Sequence, residues 1–234
     1  MSSRPKKESQ RSRGTGAAAG EPGAETREAL IRAGEQLMAA HGIEGVDLKT
    51  IHAAAGQRNR SAVAYHFGDR NGLVTAIGAK HRALINPIRH RMLDRLERRG
   101  QFGIADLVEA LVLPLADHLA DPSGRDYIII LAEAASRLGT AALYQAKGAH
   151  TGSVQRLTAL MMPRLDGSTR ARQLLIGQAI LTAPVLLADL ARSINAGTLT
   201  PVQAKRRARD IARFITGAVL QVGDSGTQRS NPDR

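Results

Sequence analysis

The sequence contains no cysteine and no tryptophan, and its 234 residues include only three tyrosines and three phenylalanines. The absence of cysteine excludes disulfides, thiolate metal sites and cysteine nucleophiles, and it fits a reducing cytoplasm. Because aromatic side chains are so scarce, the core must be built from Ala, Leu, Ile and Val. Apolar residues make up 43% of the chain, which is enough for such a core. This composition suits closely packed helices.

Sequence motifs of catalysis are absent as well. The chain has no HExxH metal motif, no glycine-rich phosphate loop after a strand and no GxSxG nucleophile motif. Among the seven histidines, His118 beside Asp117 and the distant His150 stand apart from other candidate ligands in the sequence. We therefore expect no enzyme activity, no metal site and no cofactor.

No targeting or membrane-spanning segment is predicted. The N-terminus is basic but lacks the apolar stretch of a signal peptide. The longest uncharged run in the C-terminal half, residues 173–188, contains Gln, Thr and Pro and is short for a membrane span. These features favour a cytoplasmic protein with a buried or interfacial helix at this position.

Positive charge is in excess, with a net charge of +12 at pH 7. Residues 25–100 carry 13 Lys and Arg against 8 Asp and Glu, which gives this segment +5. Such an excess suits the phosphate backbone of double-stranded DNA, although RNA and membrane surfaces attract it too. Charge alone is therefore a weak indication of the partner.

The most informative stretch is residues 46–73, which reads VDLKTIHAAAGQRNRSAVAYHFGDRNGL. Asp47 is placed to cap a short helix, and Gly56 can end that helix in a left-handed conformation. After a four-residue turn, Asn59 is predicted to cap a second short helix. Two short helices joined by a glycine-bearing turn indicate a helix-turn-helix. The buried sides of the two helices are predicted to be Leu48, Ile51 and Ala55, and Val63 and Phe67.

These pieces resemble the N-terminal DNA-binding domain of the TetR family of bacterial repressors. The resemblance covers residues 25–73. Two features depart from the family pattern: the turn is one residue longer than usual, and Ala64 stands where tyrosine is common. The resemblance rests on the order and spacing of His41-Gly42-Ile43-Glu44-Gly45, Leu48-Lys49-Thr50-Ile51, Ala54-Ala55-Gly56 and Tyr65-His66-Phe67-Gly68-Asp69-Arg70.

The resemblance implies an all-α fold, with an N-terminal three-helix helix-turn-helix DNA-binding domain joined to a C-terminal helical ligand-binding and dimerisation domain. It implies a homodimeric, sequence-specific transcriptional regulator, usually a repressor, that responds to a small-molecule effector and binds a palindromic operator. Two alternatives remain open at this point. One is a ligand-independent DNA-binding regulator of the same fold, and the other is a nonspecific basic nucleic-acid binder.

The domains are expected to be a disordered basic tail at 1–24, the helix-turn-helix domain at 25–72, the effector-binding and dimerisation domain at 73–222, and a disordered tail at 223–234. Pro87 is expected to kink or divide the helix in which it lies. Besides a second motif helix at 59–67, helical patterns predict helices at residues 26–40, 69–99, 104–119, 125–137, 141–148, 152–165, 168–194 and 201–222.

Candidate DNA-binding residues lie on the motif. Contacts with base edges or their surroundings are expected from the side of the second helix that faces away from Val63 and Phe67, which carries Arg60, Ser61, Ala62 and Tyr65. Phosphate contacts are carried over from matching family positions to Lys49, Thr50, His66 and Arg70. The basic stretch of Arg89, Arg91, Arg95, Arg98 and Arg99 is interpreted as a solvated face. The DNA-binding set is Lys49, Thr50, Arg58, Asn59, Arg60, Ser61, Ala62, Tyr65, His66 and Arg70.

Candidate ligand-binding residues lie on apolar helices of the C-terminal half. Glu133 faces a ligand cavity or, as the favoured alternative, pairs with Arg137 one helical turn later. The set is Leu111, Tyr127, Ile130, Glu133, Tyr144 and Leu181.

A dimer interface is expected from residues 168–222, because both helices predicted there have broad apolar faces. If Leu186 or Leu190 faces the partner, aspartate at that position is expected to dissociate the dimer, because it would bury an unpaired charge. The two faces are formed by Leu174, Leu175, Gln178, Leu181, Val185, Leu186 and Leu190, and by Ile211, Ile215, Ala218 and Val222.

Overall fold

The computed structural model describes residues 22–57, 61–145 and 152–225. Over these residues the chain forms nine α-helices and two short 3-10 helices, and no strand. The α-helices are α1 (Pro22–His41), α2 (Leu48–Ala54), α3 (Ala62–Phe67), α4 (Arg70–Arg99), α5 (Ile104–Asp117), α6 (Pro122–Gln145), α7 (Ser153–Met161), α8 (Thr169–Asn195) and α9 (Pro201–Ser225), and the 3-10 helices are His118–Ala120 and Met162–Arg164.

The predicted all-α fold class is confirmed. We call α1, α2 and α3 the head, and α5 to α9 the body. The long helix α4 follows the head in the chain and packs against α1 and α3 as well as against α5, α6 and α7. The fold is therefore a small helix-turn-helix head joined through one helix to a helical body.

Some predicted boundaries are wrong. α1 begins at Pro22, inside the predicted 1–24 tail, because proline is well suited to the first turn of a helix. α6 continues through Gly139, where two helices were predicted, since a single interior glycine costs only about 1 kcal/mol. α9 extends to Ser225, past the predicted end at residue 222. The remaining tail residues lie outside the described part of the chain.

The helix α4 is one element of 30 residues although Pro87 lies inside it. Pro87 was expected to kink or divide this helix, and the structure excludes the division. Pro87 leaves the carbonyl of Ala83 without its usual helical donor. Both residues are exposed, so water can hydrogen-bond to that carbonyl and the helix continues.

The head packs on α4 through a close approach of two helices. A Cβ atom at Gly34 on α1 would lie 2.9 Å from Cδ2 of Leu73 on α4, so the two helices reach this spacing because position 34 lacks a side chain. Leu30, Leu73 and Ile77 are completely buried at this contact layer. The side of α1 that carries Leu30 and Gly34 is thus the side that meets α4.

In the body, α6 packs along α8, α5 packs against α9, and α8 and α9 lie beside each other. The predicted apolar face of α8 is divided between two sides of the helix. Leu175 and Leu190 are buried in the core of the chain itself, whereas Leu174 and Val185 are 47% and 42% exposed. The condition that Leu190 faces a partner is therefore not met, since this side chain is 4% exposed within the single chain.

Among the described helices, α8 is long and apolar enough to cross a membrane, judged by length and composition alone. Of its most apolar window, 56% is buried inside the protein. This burial matches a helix of the protein core, which agrees with the predicted buried or interfacial helix.

Candidate functional site

The helix-turn-helix is formed by α2 and α3. Asp47 caps α2 by accepting a hydrogen bond from the backbone N–H of Thr50 at 2.6 Å, which lowers the pKa of this carboxyl. Gly56 then adopts a φ of +68°, the left-handed conformation expected at the end of α2. Both local predictions are confirmed by the backbone.

The start of α3 differs from the prediction. The helix begins at Ala62, two residues after the segment 58–60 that lies outside the described residues, and not at Asn59. His52 of α2 is buried, and its Nε2 accepts a hydrogen bond from the backbone N–H of Val63 at 3.0 Å. A buried imidazole from α2 thus satisfies a first-turn donor of α3 and sets the angle between the two helices.

The exposed surface of the motif contains part of the predicted DNA-binding set. Lys49 and Thr50 on α2 and Ser61 before α3 are exposed, and Tyr65 is 83% exposed, with its ring edge against the His66 ring. Exposure of a tyrosine to this extent is unusual for a side chain that packs inside a fold. The predicted residues Arg58, Asn59 and Arg60 lie outside the described part of the chain.

Ala62 was predicted to face the bases, and this prediction is wrong. Its side chain is 5% exposed and packs in the head core next to Val63, because both point towards the helices beneath α3. His66 is half-buried. Phe67 is also only half-buried, and the guanidinium of Arg27 on α1 lies 5.3 Å from its ring centroid. This cation–π contact joins α1 to the end of α3.

Arg70 was predicted to lie near phosphates, but its guanidinium contacts the head instead. Nη1 donates hydrogen bonds to the backbone carbonyls of Ile43 and Val46, and Nε lies 3.4 Å from a carboxylate oxygen of Glu44. Only 24% of the Arg70 side chain is exposed. Arg70 therefore holds the loop between α1 and α2 against the start of α4.

The same loop is held from the body by α6. Glu133 accepts a hydrogen bond from the backbone N–H of Ile43 at 2.9 Å and another from Arg137 at 2.7 Å. Arg137 also donates to Glu44 at 2.9 Å. The favoured pairing of Glu133 with Arg137 is thus present, while the cavity-facing alternative for Glu133 is wrong. Sequence reasoning missed the contact with the loop, which joins residues 90 positions apart.

A second junction between head and body is buried. Glu35 on α1 is 2% exposed and accepts hydrogen bonds from Lys80 at 2.7 Å and from Ser123 at 2.8 Å. One of its oxygens also pairs with Nε2 of His81, and Nδ1 of His81 lies 2.6 Å from Nε2 of His118. The sequence had suggested that His118 is isolated, but the structure places it against His81. We call Glu35, Lys80, His81, His118 and Ser123 the junction cluster.

Electrostatics in the junction cluster follow from burial and pairing. Burial acts to raise the pKa of Glu35, but hydrogen bonds from His81 and Lys80 outweigh it and bring the pKa below its usual value. Burial lowers the pKa of His118, and the neighbouring His81 lowers it further. Burial, together with the charge of Glu35, raises the pKa of the adjacent Asp126 to about 6. No group of potential metal ligands occurs among the described residues.

The predicted ligand residues do not converge on one cavity. Leu111, Tyr127 and Ile130 are buried, and the Tyr127 ring stacks on His81 with centroids 4.3 Å apart. Leu181 is half-buried, and the side chain of Tyr144 lies outside the described part of the structure. Neither of two surface grooves of about 310 and 330 Å³ is lined by these residues; one lies between α4 and α5 and the other between α1 and α4.

Comparison with known proteins found two similar curated relatives and several solved structures, and no family model matches the chain. The relatives are the HTH-type transcriptional repressors AcnR of Corynebacterium glutamicum and Corynebacterium efficiens, each 26% identical over 130 residues, or 56% of this chain. This chain spans 60% of the length of these relatives.

The solved structures have lower sequence identity. A TetR-family regulator from Rhodococcus sp. is 18% identical with a TM-score of 0.40, over 82% of this chain and 99% of that one. GusR of Salmonella enterica is 17% identical with a TM-score of 0.42, over 84% and 95% of the two chains. A TetR-family regulator from Mesorhizobium loti is 16% identical with a TM-score of 0.43, over 83% and 96%.

The described helices define a helix-turn-helix protein with an all-helical body. The curated relatives are repressors of the helix-turn-helix type. Two of the solved structures are regulators of the TetR family, the family that the sequence resembles.

Replacement of Arg70 tests its contacts with the loop. We expect Arg70→Ala to destabilise the protein by about 1–3 kcal/mol, because two backbone carbonyls lose a charged donor. Thermal unfolding followed by circular dichroism measures this loss, and the exposed Lys49→Ala is the control, expected within about 0.5 kcal/mol of wild type. An Arg70→Ala protein with wild-type stability would show that the carbonyl contacts do not brace the head.

The raised pKa of Asp126 predicts how the stability of the protein depends on pH. Because the folded-state pKa of about 6 lies above the unfolded value, the ionised carboxylate opposes folding above pH 6, and this penalty disappears as the pH falls through 6 towards 4. Asp126→Asn should therefore raise the melting temperature at pH 7.5 and have little effect at pH 4. Asp166→Asn, at an exposed loop position, is the control. Equal effects of Asp126→Asn at both pH values would refute the assignment.

Proposed function

We propose that this chain is a sequence-specific DNA-binding transcriptional regulator, a ligand-responsive repressor that acts as a homodimer on a palindromic operator. The observation that carries the proposal is the helix-turn-helix, whose exposed face presents Lys49, Thr50, Ser61 and Tyr65 to solvent. The 26% identity to curated helix-turn-helix repressors supports it. The protein would work in the cytoplasm, with DNA as its partner and without catalytic activity or a resident cofactor.

DNA recognition would be divided between the two helices of the motif. We assign Tyr65 and Ser61 to base edges or their surroundings, together with Arg60 of the turn, and Lys49 and Thr50 to phosphates. Phosphate contacts set the position of a protein on DNA, whereas base contacts read the sequence. Arg58, Asn59 and His66 stay in the proposed interface, and residues 25–72 are its domain. Arg70 and Ala62 are better explained as supports of this surface than as contacts.

Dimerisation would use Phe214 of α9 and the exposed apolar positions of α8. Phe214 on α9 is 64% exposed, and Leu174 and Val185 on α8 are exposed as well. Large exposed apolar side chains that share one region of a surface are typical of interaction sites. A symmetric contact of two α8–α9 pairs would bury them and give a bundle of four helices.

Effector response would be a change in how the two heads are spaced. A ligand shifts this equilibrium only by binding one arrangement better than the other. A displacement of the body helices would be transmitted to the head through the junction cluster and through the loop contacts of Glu133 and Arg137. A ligand-independent regulator of the same fold is the first rival, and operator release by added compounds separates the two.

The DNA-binding assignment is tested by titration of an operator, selected from a randomised duplex library, and of a scrambled duplex at two salt concentrations. Tyr65→Ala should relax the preference of the protein for particular base pairs of the operator, by about 1–3 kcal/mol for a good base contact. Lys49→Ala should weaken both duplexes alike and reduce the salt dependence by about one unit of slope.

Equal affinity of the wild-type protein for both duplexes would instead support the second rival, a nonspecific basic nucleic-acid binder. If Tyr65→Ala weakens both duplexes by the same factor, Tyr65 is no base reader and belongs with the phosphate contacts.

The dimer is tested by an aspartate at an exposed apolar position. Phe214→Asp should give a folded monomer at micromolar concentration, because the charge would otherwise be buried unpaired at the interface. Light scattering measures the mass against the 25.0 kDa of one chain. Val202→Asp is the matched control, since Val202 is 68% exposed and lies about 18 Å along α9 from Phe214. It should remain dimeric.

Leu190→Asp should behave differently from both variants and lose the fold of the single chain, because Leu190 is 4% exposed within it. A dimeric Phe214→Asp protein, or a monomeric wild type, would contradict the proposed interface.

A further inference from the structure

The body contains a buried arginine without a carboxylate partner. Arg89 on α4 is 3% exposed, although the sequence placed it on a solvated basic face. Its Nε donates to the carbonyl of Ala110 at 2.9 Å, Nη2 donates to the carbonyl of Leu111 at 3.2 Å, and Nη1 donates to the hydroxyl of Ser153 at 2.9 Å. Arg89 thereby connects α4, α5 and α7.

One of these acceptors exists because of a proline. Pro114 lies inside α5 and has no backbone N–H, so the carbonyl of Ala110, four residues earlier, has no helical donor. Arg89 supplies the missing hydrogen bond. The contacts with backbone thus explain why a guanidinium points into this part of the core, but a carbonyl oxygen carries no charge to balance it.

The positive charge of Arg89 has no counter-ion in the described part of the chain. No carboxylate of the described residues forms an ion pair with Arg89, and residues 138–151, which precede Ser153, contain no Asp or Glu. Burial lowers the pKa of Arg89 to about 10, and only Tyr127 opposes this effect, so the group is still charged at neutral pH. Burial of an unpaired charge is strongly unfavourable.

The groups around Arg89 supply more donors than acceptors. A guanidinium has five N–H groups, and three are used by the two carbonyls and by Ser153, which leaves two without an acceptor among the described residues. The Ser153 hydroxyl donates onward to Oδ1 of Asn86 at 2.8 Å, and Nδ2 of Asn86 donates to no described residue. The unused N–H donors of Arg89 and Asn86 are suited to an anion, whose oxygens accept hydrogen bonds.

The N-terminus of α7 lies at the same place. Ser153 is the first residue of this helix, and its N-cap is Gly152, which has no side chain to accept from the first-turn N–H groups. The partial positive charge of a helix N-terminus favours an anion there. Gly152 is exposed and Asn86 and His90 beside it are half-buried, so the group lies just beneath the surface.

We propose that the guanidinium of Arg89, the side-chain amide of Asn86 and the backbone N–H of Ser153, at the N-terminus of α7, bind the carboxylate group of a small-molecule effector. The proposal rests on the proposed function and names the chemical class of the ligand. Two remaining N–H groups on one planar guanidinium match the two oxygens of a carboxylate, whereas a phosphate has a third oxygen and a larger charge to satisfy. The bound carboxylate would provide the counter-ion that the chain itself lacks.

The test compares matched pairs of small molecules on the full chain. Benzoate and hexanoate are titrated against benzamide and hexanamide at constant ionic strength, with inorganic phosphate as a further arm, by calorimetry and thermal unfolding. At a hundredfold excess over Kd a carboxylate should raise the melting temperature by roughly 5–10 °C. The amides should have no effect, and phosphate should bind more weakly than the carboxylates.

Variants then locate the site. Arg89→Met should lose the carboxylate response, Ser153→Ala should weaken binding about tenfold, and Arg91→Met, at an exposed position of the same helix, should respond like wild type. If Arg89→Met does not fold, Ser153→Ala and Asn86→Leu decide the question. A response that persists in these variants, amides that bind as well as acids, or no response to either carboxylate would overturn the proposal.

Operator binding by the ligand-free wild type is measured in the same preparation. If the operator is bound and no carboxylate has an effect, the anion site is wrong while the proposed function stands. If no operator is bound but the carboxylates bind through Arg89, the site is correct and the proposed regulatory function fails.

Discussion

The buried carboxylate of Glu35 sets how the head sits on the rest of the protein. At 2% exposure it requires its partners, and Lys80, His81 and Ser123 come from α4 and α6. Loss of one partner from a buried charged group typically costs about 3–5 kcal/mol, so these helices are not free to shift independently. Since α1 also supports α3 through the contact of Arg27 with Phe67, the exposed face of α2 and α3 takes its position from this cluster.

The loop between α1 and α2 provides the second constraint. Arg70 on α4 forms hydrogen bonds with this loop, and so do Glu133 and Arg137 on α6. Besides the apolar packing of α1 on α4, two sets of polar contacts from α4 and α6 therefore hold the head. Glu35 and His81 of the junction cluster are buried, whereas the contacts with the loop are partly exposed. A ligand that moved α4 relative to α6 would have to change both sets of contacts.

Local signals in the sequence were sufficient for the helix-turn-helix. The cap at Asp47 and the left-handed turn at Gly56 depend on neighbours within a few residues, and both were predicted correctly. Contacts between distant residues were not predictable in this way. The basic stretch containing Arg89 looks solvated by composition, and only the fold brings it against a carbonyl freed by Pro114. The base-facing role of Ala62 failed for a related reason, because Ala62 packs with Val63 in the head core and only the fold shows this packing.

The central claim is that the exposed face of α2 and α3 reads DNA sequence as part of a symmetric dimer. The most direct measurement is a nuclease footprint of the wild-type protein on a duplex selected from a randomised library. We predict two protected half-sites related by two-fold symmetry, with centres separated by about one helical turn of 34–36 Å or a multiple of it. Uniform protection without regard to sequence, or a single protected site without symmetry, would contradict the account.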